Sequence, residues 1–252
     1  MVLSAAGMGV TPDELVDQVY LPSRKGSLQV EMLAATRQKG LLAYTLRPSV
    51  QDLLMEVAAG HAVLVFQNVS LPVYPVWHYA VVIGYDLERN TLTLHSGETA
   101  GMEMSLFTFE RTWERGNYWA MLALTTHQLP VSADAARLSQ AIATLELQQP
   151  QAAQQAYFTA LARWPQDANL YLGLGNSAYA LHDLTAAVSA YRTAVQLQPE
   201  FADAWNNLAQ AQLDRGDRQA AGDAIAKALA LGGARLAQYR ALEALIQNTS
   251  VP

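Results

Sequence analysis

The second half of this chain repeats a pattern of small and aromatic residues every 34 positions, and this period limits what it can fold into. The matching positions form the series Ala153, Ala187, Ala221, the series Ala160, Ala194, Ala228 and the series Tyr157, Tyr191, Ile225. A fixed period of this length is typical of stacked helix-turn-helix units, in which each unit buries its apolar face only against its neighbours. The sequence therefore predicts an all-α array.

Close packing between helices explains why the repeated residues are small. Gly175 on the first helix of a unit and Ala187 on the second are expected where the two helices cross. Ala209 and Ala221 hold the same places in the next unit. A larger side chain at such a crossing would push the helix axes apart, at a cost of about 1–3 kcal/mol.

One unit contains nearly all the positions of a known repeat, namely Tyr171, Leu174, Gly175, Tyr179, Asp183, Ala187, Tyr191, Ala194 and Pro199. This pattern resembles the tetratricopeptide repeat (TPR). The resemblance implies an all-α TPR superhelix over residues 131–252. Its repeats are expected at about 134–166, 167–200 and 201–233, followed by a capping helix at 234–247.

The first helices of TPR units line a concave groove, so the resemblance also implies a peptide or protein as partner. Asn176 and Asn206 lie on these helices and are the predicted peptide-binding residues, because a side-chain amide can clamp a peptide backbone. Plain solvation of both side chains is the alternative interpretation.

The composition argues against several functions. A net charge of −6 disfavours a nucleic-acid scaffold, which normally shows a basic patch. No apolar stretch reaches the roughly 18–20 residues that span a bilayer, and the first ten residues lack the features of a signal peptide. The chain has no cysteine for a disulfide or thiolate site. We expect no cofactor, and no metal site at the isolated His61, His127 and His182.

Residues 1–130 have a sequence pattern different from that of the repeats. They are predicted to form an α+β domain with helices and an antiparallel sheet. Predicted helices cover residues 12–20, 27–39, 50–59 and 107–114. Predicted strands cover residues 42–46, 62–66, 79–85, 91–95 and 118–124. Thr11 and Glu14 have the spacing of a capping box at the start of the first of these helices.

The opening segment from Val2 to Gly7 has the composition of the second half of a helix, with Gly7 suited to the position after the cap. No capping residue precedes it. We therefore expect Met1 to fall inside an element rather than before one. A frayed helix that needs no cap is the alternative.

The segment from Trp77 to Asp86 begins with a histidine that opens an apolar strand, and the next strand ends at Ser96. This arrangement resembles the papain-like cysteine peptidases, and among them the bacteriocin-processing (double-glycine) family and its relatives fused to TPR repeats. The resemblance implies a papain-like peptidase fold over residues 1–130. It assigns His78 as the general base that activates a cysteine, and it places Ser96 where the family has an orienting Asp or Asn. A serine there supplies no negative charge.

Two functions follow from these resemblances. The first is a TPR-containing cysteine peptidase that is inactive as written, since no cysteine is present; a longer product would carry Gln followed by Cys-Gly-Pro-Ala-Ala. The second is a non-enzymatic TPR adaptor that binds peptides or protein partners. The chain as written is expected in the cytoplasm, and a periplasmic or membrane-associated location is expected if an N-terminal signal has been lost.

Overall fold

The computed structural model describes residues 1–24 and 26–248, without the side chains of Pro12 and Arg24. The chain divides into two compact units, with the division between Asp134 and Ala135. The boundary predicted from the sequence lies four positions earlier, after residue 130.

The first unit contains short helices, and those that begin at Pro12, Val50 and Leu106 have a side-chain cap at their start. Their bounds are α1 Val2–Ala5, α2 Pro12–Val19, α3 Gln29–Gln38, α4 Val50–Ala58 and α5 Leu106–Arg115. The predicted capping box is present, since Thr11 accepts a hydrogen bond from the Glu14 amide and Glu14 accepts one from the Thr11 amide. Gly7 follows the C-cap of α1 with φ +81°, the left-handed conformation that suits glycine.

Six strands form one antiparallel sheet in the order β1-β6-β2-β3-β4-β5. Their bounds are β1 Leu42–Thr45, β2 Val63–Asn68, β3 Trp77–Asp86, β4 Thr91–Ser96, β5 Thr99–Ser105 and β6 Ala120–Leu124. The predicted α+β class with an antiparallel sheet is confirmed. Strand β5 was not predicted: it is an edge strand that exposes most of its side chains, so it lacks a regular apolar alternation.

The two faces of the sheet are covered by different helices. Leu64 and Val81 pack with Leu3 of α1 in one apolar cluster. Because successive side chains of a strand point to opposite faces, Val65 lies on the other face, where α5 packs against β2. Gln67 shares that second face and donates a hydrogen bond to Thr112 of α5.

The second unit is all-α, and each helix packs against its neighbours. The bounds are α6 Ala135–Ala143, α7 Pro150–Arg163, α8 Ala168–Ala180, α9 Leu184–Leu197, α10 Ala202–Asp214, α11 Arg218–Leu231 and α12 Leu236–Asn248. Asp183 and Asp217 cap α9 and α11 by accepting hydrogen bonds from backbone amides.

Two glycines of α8 make room for the tyrosines of the neighbouring helices. A Cβ atom on Gly173 would lie 2.1 Å from the Tyr157 ring, and one on Gly175 would lie 2.4 Å from the Tyr191 ring. Real Cβ atoms are never that close to a ring carbon, so only glycine fits at either position. This contact explains the packing role predicted for Gly175.

Candidate functional site

A concave cavity of about 640 Å³ lies on one side of the helical array. Residues of α8, α10 and α12 line it, together with Tyr191 of α9 and the turn that follows α6. We call this cavity the groove. Both predicted peptide-binding residues, Asn176 and Asn206, are among its lining residues.

The floor of the groove contains a half-buried carboxylate that the sequence analysis did not single out. Tyr157 donates its hydroxyl to Glu146 Oε1 at 2.6 Å, and Asn176 Nδ2 donates to Glu146 Oε2 at 3.2 Å. Burial raises the pKa of Glu146 above its ordinary value, and these two hydrogen bonds offset that effect only in part. Burial likewise raises the pKa of the Tyr157 hydroxyl.

Hydrogen bonds continue from Asn176 along the floor. Its Oδ1 accepts from the Tyr191 hydroxyl at 2.9 Å and from Asn207 Nδ2 at 3.0 Å. Asn207 Oδ1 in turn accepts from Asn206 Nδ2 at 3.2 Å. Side chains of the turn after α6 and of α7, α8, α9 and α10 are thereby joined in one polar chain.

The two predicted asparagines have different positions in this chain. The Oδ1 of Asn176 already accepts two hydrogen bonds and its amide donates one, so its role in the structure is to connect Glu146 with Tyr191. Asn206 uses its amide on Asn207, while its Oδ1 is buried with no partner in the described part of the chain. Of the two, Asn206 has the free acceptor.

Negative charge dominates the groove. Among the lining residues that the structure describes, Glu146 is the charged one. Asp214 lies next to the groove, where it accepts hydrogen bonds from the lining residues Tyr179 and Gln210. Glu146 and Asp214 are two periods apart, with Ala180 at the position between them. Because Ala180 interrupts the series, the 34-residue register carried no repeated acidic signal for this feature.

In the first unit, the structure brings His78 and Ser96 together. His78 Nε2 lies 2.8 Å from Ser96 Oγ, across the pair formed by β3 and β4. Strand alternation places His78 on the face of its cross-strand partner Gln67, whereas Val81 lies on the face covered by α1.

His95 has a structural contact. Its Nδ1 accepts a hydrogen bond from the Gly101 amide at 3.1 Å, where the register between β4 and β5 shifts. In residues 1–24 and 26–248, no group of three or more His, Asp or Glu side chains is arranged to hold a metal ion. None of the described helices has the length and apolar character needed to cross a bilayer.

Comparison with known proteins assigns the second unit. A tetratricopeptide-repeat family model matches residues 138–187 and 172–239. Residues 138–239 are TPR repeats. The all-α prediction for this part of the chain is confirmed, and the first helices of the TPR units line the groove as expected.

Several solved structures are similar to this chain. The TPR2B-domain:pHsp70 complex of yeast Sti1 is 20% identical with a TM-score of 0.41, and the match covers 43% of this chain and 95% of that one. The type III secretion chaperone SycD of Yersinia enterocolitica, in complex with a peptide of the translocator YopD, is 16% identical with a TM-score of 0.42. That match covers 48% of this chain and 98% of that one. No curated protein sequence matches. The papain-like prediction for residues 1–130 gains no support from these comparisons.

Proposed function

We propose that this chain is a protein-binding adaptor that holds a peptide segment of a partner protein in its TPR groove. The observation that carries the proposal is the cavity of about 640 Å³, whose floor is polar and whose rim is apolar. A concave site with a few converging polar groups on a largely apolar surface is the usual form of a ligand site.

The rim of the groove exposes large apolar side chains to solvent. Leu147 is 97% exposed and Leu245 is 51% exposed, although both line the cavity. Covering such side chains removes apolar area from water, which favours binding by about 25 cal/mol for each Å² buried. A bound segment therefore gains affinity from the rim, while the polar floor sets its orientation.

The test is a selection of short, randomised, capped peptides on the full chain, followed by fluorescence anisotropy with individual peptides. We expect Leu245→Ala to weaken binding of the selected peptides. The matched control is Leu231→Ala, which truncates a similarly exposed leucine outside the groove. If the two variants behave alike, or if no peptide is selected, the adaptor proposal is wrong.

A second proposal concerns the first unit, which we infer to be a peptidase-like domain with His78 as its general base and Ser96 as the group that orients it. The supporting observation is the 2.8 Å contact between His78 Nε2 and Ser96 Oγ. This chain is expected to hydrolyse no peptide, because it contains no thiol for the imidazole to activate. Measurable peptide hydrolysis by this chain that is unchanged in His78→Ala would contradict this mechanism.

A further inference from the structure

We infer that the TPR groove selects a segment carrying a lysine or arginine side chain, and that this side chain pairs with Glu146. The inference rests on the adaptor function proposed above and specifies the chemistry of the partner. The hydrogen bonds of Glu146, the charge of the groove and its apolar rim support this pairing.

Glu146 has fewer donors than an ionised carboxylate can accept. Its two oxygens offer about four acceptor positions, and the hydrogen bonds to it come from the Tyr157 hydroxyl and the Asn176 amide. Both donors are neutral. A ligand ammonium or guanidinium would add a charge-assisted hydrogen bond, which is about twice as strong as a neutral one.

The groove does not supply this cation itself. No lysine, arginine or histidine is among the lining residues that the structure describes. Burial already raises the pKa of Glu146, so the ionised carboxylate is held at a cost that a bound cation would remove. The same electrostatics disfavour a peptide that would place a carboxylate near Glu146, because like charges would meet in a partly desolvated site.

Other acceptors of the groove favour the same partner. Asn206 Oδ1 is buried with no hydrogen-bond partner in the described part of the chain. Asp214 adds negative charge beside Tyr179 and Gln210. A ligand side chain with several N–H donors and no acceptor matches this set, and lysine and arginine have this property.

The apolar rim fits the aliphatic part of such a side chain. Lysine and arginine bury their methylene stems against apolar surface while the charged end reaches a polar group. Leu147 is adjacent to Glu146 in the chain, and Leu245 and Ala241 line the groove from α12. The preferred segment thus has a basic residue next to aliphatic ones.

The experiment uses the full chain and the peptides selected on it. Each binding peptide is resynthesised with its basic residue replaced by glutamine or by norleucine, and affinities are measured by fluorescence anisotropy. We expect lysine or arginine to be enriched among the selected sequences. Loss of the basic residue should weaken binding about tenfold or more. Glu146→Gln should produce the same loss for the basic peptides and little change for their glutamine counterparts.

The control variant is Glu200→Gln, which removes an exposed carboxylate outside the groove and is expected to leave affinity unchanged. The peptide substitutions keep the test valid even if Glu146→Gln fails to fold. Selected peptides without basic residues, or basic peptides that bind Glu146→Gln and the unmodified chain equally well, would overturn the inference and leave the adaptor function standing. If no peptide were selected, both this inference and the adaptor function would be wrong.

Discussion

Glu56 in the first unit and Glu146 in the second are both carboxylates removed from water, yet their pKa values shift in opposite directions. Burial raises the pKa of Glu56, but hydrogen bonds from His61 and Ser132 outweigh that effect, so its pKa lies below the ordinary value. Burial also raises the pKa of Glu146, and there the hydrogen bonds from Tyr157 and Asn176 do not compensate.

The difference lies in the donors. Glu56 is fully buried, with the His61 ring at 2.7 Å and the Ser132 amide and hydroxyl at 2.8 and 2.6 Å. These contacts hold the end of the first unit against α4, and Arg47 adds a hydrogen bond to the Ser132 carbonyl. Glu146 has two neutral side-chain donors and borders an open cavity. A carboxylate satisfied within its own unit stabilises the fold, whereas an undersatisfied one is suited to a ligand.

The largest effect is expected from removing the Glu56 carboxylate. Glu56→Ala leaves the His61 ring and Ser132 without their shared carboxylate, and each buried donor left unsatisfied costs about 1–3 kcal/mol. Urea denaturation followed by circular dichroism should show this decrease in the free energy of unfolding. The control, Glu88→Ala at an exposed position, should change stability by less than about 0.5 kcal/mol. If Glu56→Ala and Glu88→Ala lowered the free energy of unfolding equally, Glu56 would have no special role in stabilising the fold.

An intermediate effect is expected from Gly175→Ala, which alters the packing of Tyr191, a lining residue of the groove. The added methyl group would meet the Tyr191 ring, and overpacking of this kind costs about 1–3 kcal/mol. Gly222→Ala is the matched control in α11, because a Cβ there meets no atom within 4 Å. The control should stabilise by about 0.5–1 kcal/mol, since alanine is the better helix former. Thermal unfolding distinguishes the two, and a stabilising Gly175→Ala would show that Tyr191 is free to move.

The pH dependence of stability should separate the two carboxylates by sign. The folded-state pKa of Glu56 is lowered, so its contribution is present above the ordinary carboxyl pKa and is lost as the pH falls through the folded value. The folded-state pKa of Glu146 is raised. Its contribution to stability is therefore present at low pH, and it is lost as the pH rises from the ordinary carboxyl pKa of about 4.3 towards the folded-state pKa. Denaturation across this range should show opposite trends when Glu56→Gln and Glu146→Gln are each compared with the unmodified chain. If stability changed with pH in the same direction for both variants, the opposite pKa shifts of Glu56 and Glu146 would be contradicted.

The smallest effect is expected from Glu146→Gln in the absence of a peptide. The substitution removes an ionised group that is held at a cost, so stability at neutral pH should rise by less than about 1 kcal/mol. A large loss of stability in urea denaturation would instead indicate a structural carboxylate like Glu56.

The helical array could be predicted from sequence because its signal is local and repeated. Ala187 and Ala221 occupy equivalent places in successive repeats, and Gly175 lies where the Tyr191 ring packs. A small residue at each such position indicates close packing against the next helix along the chain. A period of 34 residues therefore specifies neighbours as well as elements.

The two carboxylate sites could not be predicted in the same way. Glu56 and Ser132 are 76 positions apart, and no pattern in the sequence connects them. Glu146 and Tyr157 are 11 positions apart, but their contact depends on how the turn after α6 folds back on α7. Asn176 and Asn206 could be predicted because they lie on the first helices of the repeat units. Glu146 was not predicted, because it lies in a turn between two helices.

Helix α12 is the last helix that the structure describes, and it supplies one wall of the groove through Ala241, Leu242 and Leu245. Among the described helices it packs against α10 and α11, and a helix with few packing neighbours opens more readily than the interior of an array. A segment seated across α8, α10 and α12 ties the last helix to the interior of the array. Slower hydrogen–deuterium exchange at the backbone amides of α12 would therefore report occupancy of the groove, even for a ligand that touches none of those amides.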